Sequence, residues 1–182
     1  MAASKTIGSG EIESAIGRLA AAISARHASP GQLLLLGIAN GGVQLARRLA
    51  HRLDARVGTI DVSFHRDDIG RNPIPKEFAP THIPCDVQGA TVILVDDVLF
   101  TGRTVKAALD ELFDQGRPAK VELAVLVDRG GRRLPVVADD YAGMALPARE
   151  DEKVVVHLDP ASPRRDSIRV EPPGHRPRPP AA

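Results

Sequence analysis

Residues 91–104 read TVILVDDVLFTGRT, which places an apolar run, two acids and a hydroxyl-bearing turn in one uninterrupted order. The run at 92–95 is rich in β-branched residues and is typical of a strand buried on both faces. Asp96 and Asp97 follow where that strand is expected to end, and ligands of open α/β sheets bind at this edge. The next residues have helical spacing. The stretch therefore predicts an α/β fold with a mostly parallel central sheet and a ligand site at the carboxyl edge of its strands.

The residue types in this stretch suit a sugar phosphate. Gly102 lets the backbone approach a ligand closely, Thr101 and Thr104 carry hydroxyl donors, and free N–H groups at a helix start favour a phosphate. Adjacent carboxylates can accept hydrogen bonds from ribose hydroxyls or hold Mg²⁺. A strand end with a solvated Asp-Asp turn is the simpler alternative. The unbroken order of strand, acids, Thr-Gly and helix favours a binding site.

Val95-Asp-Asp-Val-Leu-Phe-Thr-Gly-Arg-Thr104 resembles the ribose-phosphate loop of type I phosphoribosyltransferases. Three other segments narrow the resemblance: Arg-Asp-Asp at 66–68, Gly-Arg-Pro at 116–118, and Leu-Ala-Val-Leu-Val-Asp-Arg-Gly at 123–130 followed by Leu134-Pro135. With them, the chain is similar to the family of bifunctional pyrimidine operon regulators and uracil phosphoribosyltransferases. The similarity spans roughly residues 10–158.

The resemblance implies the type I phosphoribosyltransferase fold and the transfer of phosphoribose from phosphoribosyl diphosphate to uracil, which yields UMP and pyrophosphate. Asp96 and Asp97 are then the catalytic residues, because carboxylates can stabilise positive charge on the ribose ring. Mg²⁺ is the implied cofactor, brought by the substrate and held in part by this acidic pair. The substrate-binding residues of the loop are expected to be Val98, Leu99, Phe100, Thr101, Gly102, Arg103 and Thr104.

A second strand-to-helix loop follows the apolar run at 33–36. It contains Ala39-Asn40-Gly41-Gly42, whose glycines can expose successive N–H groups to an anion. On residues alone, a plain turn between a strand and a helix is equally consistent. The resemblance assigns this loop to pyrophosphate, but the family usually carries Thr-Arg before the glycine. The chain therefore lacks the expected cationic contact at this loop.

The segment after the strand expected at 57–64 contains Arg66-Asp67-Asp68 and then four prolines between residues 69 and 84. Prolines at this density oppose both a helix and a central strand, so a long irregular segment is predicted. The resemblance makes it a flexible hood over the substrate diphosphate, with Arg66 as an anion contact. A solvated loop with local ion pairs is the alternative.

Residues 121–127 are expected to form another buried strand, which ends in the charged turn Asp128-Arg129-Gly130-Gly131-Arg132-Arg133. The resemblance places Asp128 and Arg129 on the base-recognising side, where backbone groups would read the uracil edge. On residues alone, a charged surface turn is at least as consistent. Gly131 stands where the family usually has a histidine. Further strands are expected at 136–141 and 153–158.

Composition bounds the remaining possibilities. The chain has 182 residues, 43% hydrophobic content and a net charge of +1, which suits one domain with a sizeable core. Because there is no apolar run of membrane-spanning length, we expect a cytoplasmic protein with no membrane partner. The single cysteine, Cys85, excludes an internal disulfide. We also expect a homo-oligomer, either a dimer or a tetramer.

The predicted domain comprises residues 1–159, with its first helix starting near Glu11. Residues 160–182 contain seven prolines, five arginines and only two acids, which predicts a disordered basic tail. Aromatic residues are only 3% of the chain, which disfavours base stacking on RNA. We therefore expect RNA binding to be weak, salt-sensitive and dependent on the tail, although Arg18, Arg26, Arg132 and Arg133 could form a basic face.

Three alternative functions remain at this point. The chain could be an RNA-binding attenuation regulator that uses uridine nucleotides only as effectors. It could be a phosphoribosyltransferase for another base, which the specific match at 123–135 disfavours. It could also be a structural domain with a vestigial site, which the intact Asp96-Asp97 pair and the Thr101-Gly102-Arg103-Thr104 turn oppose.

Overall fold

Five parallel strands form the central sheet, in the spatial order Arg56–Ile60, Leu34–Ile38, Thr91–Leu99, Lys120–Asp128 and Ala142–Ala145. The computed structural model describes residues 5–29, 32–63, 80–138 and 141–172. The strands of this sheet are β2 (Leu34–Ile38), β3 (Arg56–Ile60), β4 (Thr91–Leu99), β5 (Lys120–Asp128) and β6 (Ala142–Ala145). The helices are α1 (Ser9–Arg26), α2 (Gly42–Leu53) and α3 (Arg103–Gln115). The predicted α/β architecture with a mostly parallel sheet is confirmed.

The two faces of the sheet carry separate cores because alternate side chains of each strand point to opposite sides. Ile93 and Val95 of β4 pack with the apolar faces of α1 and α2. Val92 and Leu94 of the same strand pack with α3. The helix predicted to start near Glu11 is confirmed as α1, and apolar residues spaced three or four apart form its buried face: Ile12, Ile16, Leu19, Ala20 and Ile23. Among the helices of the described residues, none is both long and apolar enough to cross a bilayer.

Two strand predictions are corrected by the pairing. The central strand does not end at Val95, because β4 pairs with β5 as far as Leu99 opposite Asp128. The acidic pair therefore lies within β4, beyond the last residue that pairs with β2. The strand expected at 136–141 is also wrong: residues 136–138 and 141 lie outside the strands, and Ala142–Ala145 pairs with β5 instead. The predicted strand at 57–64 is shorter, since β3 ends at Ile60.

A second, antiparallel sheet contains β1 (Thr6–Ile7), β7 (Lys153–His157) and β8 (Ser167–Glu171), in the order β1-β8-β7. β7 had been expected to be the last strand. Residues 167–171, which belong to the tail predicted to be disordered, instead pair with β7 over its full length. Ile168 is completely buried, so this part of the tail does supply apolar surface to the core. Residues 173–182 lie outside the described residues.

A buried ion pair attaches the second sheet to α2. Asp166 is 4% exposed and accepts hydrogen bonds from both terminal nitrogens of Arg48. Asp166 Oδ1 also accepts a 2.9 Å hydrogen bond from the Asp159 amide, whose carbonyl accepts from Arg48 Nη2 at 2.8 Å. A short 3-10 helix, Pro163–Arg165, leads into this contact. The folded domain therefore continues past the predicted boundary at residue 159.

Candidate active site

The acidic pair, Asp96 and Asp97, lies near the carboxyl end of β4. Asp96 is 6% exposed, and its Oδ1 accepts a 2.9 Å hydrogen bond from the Asp97 amide. Burial raises the pKa of Asp96 well above its usual range, and the charge of Asp97 raises it further. Burial also raises the pKa of Asp97. Asp96 is buried and Asp97 half-buried, and two adjacent carboxylates that are costly to ionise together gain stability when a ligand brings hydroxyl donors or a cation.

Residues 39–42, predicted to be the pyrophosphate loop, pack directly against this pair. A Cβ atom added at Gly41 would lie 2.5 Å from the carboxyl carbon of Asp97. A Cβ atom at Gly42 would overlap the carbonyl oxygen of Val95. The loop is held from β3, because the Ala39 amide donates a 2.9 Å hydrogen bond to the Ile60 carbonyl. The structure therefore brings together two segments that were predicted separately, and it explains why glycines occupy both positions.

Residues 98–104, predicted to be the ribose-phosphate loop, run from the end of β4 into the start of α3. Gly102 has a φ of 89°, a left-handed conformation that favours glycine. Its Cα faces the segment after β5, since an added Cβ would lie 3.2 Å from side-chain atoms of Leu134 and Val136. Thr101 Oγ1 accepts a 3.3 Å hydrogen bond from the Arg103 amide, where α3 begins. The predicted order of acidic pair, Thr-Gly turn and helix start is present.

The turn after β5 is more buried at Arg129 than a charged surface turn would be. Arg129 is 5% exposed, and its Nη2 donates to the carbonyls of Arg149 at 2.6 Å and Glu152 at 2.8 Å. Its guanidinium carbon also lies 3.6 Å from the centre of the Phe100 ring. The Arg129 amide donates a hydrogen bond to the Leu99 carbonyl, and the side chain is buried. The backbone carbonyl is therefore the group of Arg129 left to contact a ligand. The guanidinium of Arg129 thus links the segment at 149–152 to the Phe100 ring.

The two carboxylate oxygens of Asp128 each contact a different residue of the turn after β5. Its Oδ1 accepts a 2.9 Å hydrogen bond from the Gly130 amide, and its Oδ2 lies 2.6 Å from Arg132 Nη2. Gly131 has a φ of 77°, and an added Cβ there would lie 2.6 Å from Phe100 Cε2. The ring of Phe100 thus occupies the space that a side chain at position 131 would enter. The predicted hood residues, including Arg66, Asp67 and Asp68, lie outside the described residues.

Lys153 is a cation near the acidic pair that the sequence did not indicate. It begins β7, and its positive charge opposes the rise in the Asp97 pKa that burial causes, more weakly than the hydrogen bonds of Asp97 do. A lysine at the start of an alternating strand has no recognisable motif. Only the packing of β7 against β4 brings this cation near the acidic pair.

The acidic pair is also the part of the site that fits Mg²⁺. Within the described ranges, no group of three or more His, Cys, Asp or Glu side chains could hold a metal ion. Mg²⁺ commonly binds through one or two carboxylates, with substrate phosphates and waters completing its shell. Asp96 and Asp97 therefore suit a magnesium ion that arrives with a diphosphate, and they do not form a complete metal cage by themselves.

This fold and site define a phosphoribosyltransferase, and comparison with known proteins agrees. Residues 5–161 match the family model described as phosphoribosyl transferase domain. Hypoxanthine phosphoribosyltransferase of Trypanosoma cruzi aligns with a TM-score of 0.65 at 23% identity, covering 91% of this chain and 94% of that one. A hypoxanthine-guanine phosphoribosyltransferase of Bacillus anthracis aligns with a TM-score of 0.65 at 22% identity, covering 91% and 95%. At these identities the structures establish a shared fold.

Relatives of higher identity define the family more narrowly. The chain is 46% identical over 155 residues to the bifunctional protein PyrR of Roseiflexus, which covers 81% of this chain and 84% of the relative. It is 44% identical over 156 residues to the bifunctional protein PyrR of Bacillus subtilis, covering 81% and 86%. The chain belongs to the PyrR family of phosphoribosyltransferases. The resemblance inferred from residues 95–104 and 123–135 is confirmed.

Proposed function

We propose that the protein is a uracil phosphoribosyltransferase that converts uracil and phosphoribosyl diphosphate into UMP and pyrophosphate. The observation that supports this most directly is the meeting of three loops at one edge of the sheet. The pyrophosphate loop touches Asp97, and the ribose-phosphate loop is bonded to the turn after β5. One edge therefore offers neighbouring places for the diphosphate, the ribose phosphate and the base. The identity of 42–46% with PyrR proteins favours uracil as that base.

The reaction forms a bond between N1 of uracil and C1′ of the ribose while the C1′–oxygen bond to pyrophosphate breaks. Pyrophosphate leaves with the electron pair, and the N1 proton passes to solvent. Positive charge develops on the ribose ring as this bond breaks. Asp96 and Asp97 are the acceptors closest to that charge in our assignment, and they orient the ribose through its hydroxyls.

Mg²⁺, when bound, would neutralise the negative charge of the leaving pyrophosphate, with Asp96 and Asp97 as its protein contacts. The backbone of residues 39–42 would bind the pyrophosphate through its N–H groups. Residues 101–104 would bind the 5′-phosphate at the start of α3. The chain's contribution is thus positioning and charge stabilisation, with no covalent intermediate on the protein.

A turnover assay with a panel of bases tests the assignment. The purified protein would be mixed with phosphoribosyl diphosphate, Mg²⁺ and uracil, cytosine, hypoxanthine, guanine or adenine, and pyrophosphate release would be measured. We expect release with uracil and a much slower reaction with the others. Preferential turnover of a purine would reassign the base, and no turnover with any base would refute the enzymatic proposal.

We further propose that sequence-specific binding to a pyrimidine-operon leader RNA is weak. Two of the four cations considered for a basic face pair with carboxylates, and the other two contact a carbonyl group and an aromatic ring. Arg18 Nη2 donates to the Gly143 carbonyl at 2.9 Å, and Arg26 lies over the Tyr141 ring. Arg132 pairs with Asp128, and Arg133 pairs with Glu150. Two of these four positive charges are offset by carboxylates, so residual affinity should be small and salt-sensitive.

The RNA proposal requires a truncation that leaves the fold intact. A cut at residue 159 would remove β8 and Asp166, so the cut should follow Pro172. Leader RNA would be titrated against the full chain and this truncation at two salt concentrations. Tight binding by the truncated protein that increases with UMP would contradict the proposal. The cytoplasmic location and the homo-oligomer stay predictions.

A further inference from the structure

Three successive carbonyl groups of the ribose-phosphate loop are bonded to the segment that follows β5. The Leu99 carbonyl accepts a 3.1 Å hydrogen bond from the Arg129 amide. The Phe100 carbonyl accepts from the side chain of Arg132 at 3.4 Å. The Thr101 carbonyl accepts from two amides, those of Arg133 at 3.1 Å and Leu134 at 3.0 Å. These three carbonyl groups therefore face the same neighbouring segment.

Arg132 is the side chain that joins the parts of this arrangement. Its Nη1 donates to the carbonyls of both Leu99 and Phe100 at 3.4 Å. Its Nε donates to the Val136 carbonyl at 3.0 Å, and its Nη2 donates to Asp128 Oδ2 at 2.6 Å. All three guanidinium nitrogens are used, and the side chain is 24% exposed. One residue thus connects the end of β5, the loop after β4 and the segment that packs on Gly102.

The orientation of these carbonyls matters for an anion site. A loop binds phosphate when its N–H groups face the ligand, and a single peptide turned the other way replaces a donor with a repelling carbonyl oxygen. Gly102, in its left-handed conformation, gives the loop freedom to take other conformations. The hydrogen bonds from Arg132 and from the amides of Arg133 and Leu134 restrict that freedom. The carbonyls of residues 99–101 are thereby held on the side of the segment after β5.

We propose that Arg132 is a positioning residue for the 5′-phosphate, which acts by holding the carbonyls of residues 99 and 100 away from the ligand. The proposal rests on the assignment of residues 101–104 to the 5′-phosphate under phosphoribosyl transfer. It gives Arg132 a role different from the RNA contact considered for it above. Arg132 would also connect the expected sites of the ribose phosphate and the base, because its guanidinium donates a hydrogen bond to Asp128 on the base side.

Arg133 provides a matched control, because its guanidinium pairs with the exposed carboxylate of Glu150 and only its amide contacts the loop. Arg132→Gln, Arg132→Lys and Arg133→Gln would be compared with the wild type in titrations with ribose 5-phosphate and, separately, with pyrophosphate in Mg²⁺. We expect Arg132→Gln to bind ribose 5-phosphate about tenfold more weakly, the scale of losing charge-assisted hydrogen bonds. Its affinity for pyrophosphate should change less than about twofold, since that ligand uses the other loop.

The variants separate positioning from general damage to the fold. Arg132→Lys keeps the charge but cannot reach several acceptors, so we expect an intermediate loss. Arg133→Gln should match the wild type for both ligands. A folded Arg132→Gln protein with normal affinity for ribose 5-phosphate would overturn the proposal, as would an equal loss of affinity for ribose 5-phosphate and pyrophosphate.

A measurement on the unmodified protein covers the case in which Arg132→Gln does not fold. Hydrogen exchange of the Arg133 and Leu134 amides should slow when ribose 5-phosphate binds, because both amides brace the loop, and should not slow with pyrophosphate. An equal response to the two ligands would overturn the proposal. Uracil takes no part in these experiments, so an enzyme that prefers another base would fail the base panel and leave this inference intact.

Discussion

Replacing Asp166 by alanine should destabilise the whole domain, although the residue belongs to a segment whose composition predicts disorder. The Asp166 side chain is fully buried, and that of its partner Arg48 is 13% exposed. The carboxylate accepts two hydrogen bonds from Arg48 and one from the Asp159 amide. Truncation leaves a guanidinium and an amide without their acceptor. Removing one partner of a buried ion pair costs about 3–5 kcal/mol.

Because Arg48 is not fully buried, we expect the lower end of that range, about 3 kcal/mol. Urea unfolding followed by circular dichroism would measure it. With an m-value of about 2 kcal/mol/M, the midpoint should fall by about 1.5 M. A matched control is Glu13→Ala, which breaks the pair between Glu13 and Arg52, whose side chains are 51% and 28% exposed. That change should cost no more than about 1 kcal/mol. If Asp166→Ala cost no more than Glu13→Ala, the buried pair would not be what attaches the second sheet.

Three further predictions concern the site itself. Asn40→Arg should supply the missing cation and lower the Michaelis constant for phosphoribosyl diphosphate, since such a contact contributes about 1.5–3 kcal/mol; an unchanged constant would show that another cation already serves. Gly131→His should destabilise the protein by about 1–3 kcal/mol through its left-handed backbone and the Phe100 ring, as thermal unfolding would show. Replacing Asp96 and Asp97 by asparagine should stabilise the free protein at neutral pH. Both aspartates have a raised pKa in the fold, so the folded protein retains protons that the unfolded chain releases, and stability falls as pH rises through the folded pKa values. The asparagine variant lacks this loss, so its advantage in urea should grow from pH 4 to pH 8, and a constant difference would contradict the sign.

The parts of the fold that were predictable are those with a local pattern. The run at 92–95 and the spacing of Ile12, Ile16 and Ile23 each indicate an element through burial on a fixed period, and both elements are present. The length of β4 was not predictable, because it depends on pairing with β5 alone beyond Val95. The residue types also indicated correctly that the acidic pair lies near the carboxyl end of β4 and that the Thr-Gly turn directly precedes α3.

What could not be predicted depends on contacts between distant residues. Arg48 and Asp166 are 118 positions apart, so no local pattern indicates that they pair. The composition of residues 160–182 was taken over the whole segment, which combines the strand β8 with a Pro-rich end. The single buried residue Ile168 therefore did not change the prediction of disorder. Arg129 and Arg132 look like solvated surface cations in the sequence, whereas the structure engages them with backbone carbonyls. The position of Lys153 near Asp97 likewise follows only from the packing of β7 against β4.

The most direct test of the account is turnover by the variant in which Asp96 and Asp97 are both asparagine. UMP formation from uracil and phosphoribosyl diphosphate would be followed with saturating Mg²⁺, and circular dichroism would confirm that the variant is folded. We predict that kcat/KM falls by at least about 10²–10³-fold, the loss typical of removing charge stabilisation in the transition state. A folded double variant that forms UMP at nearly the wild-type rate would contradict the assignment of this pair to the ribose and its leaving group.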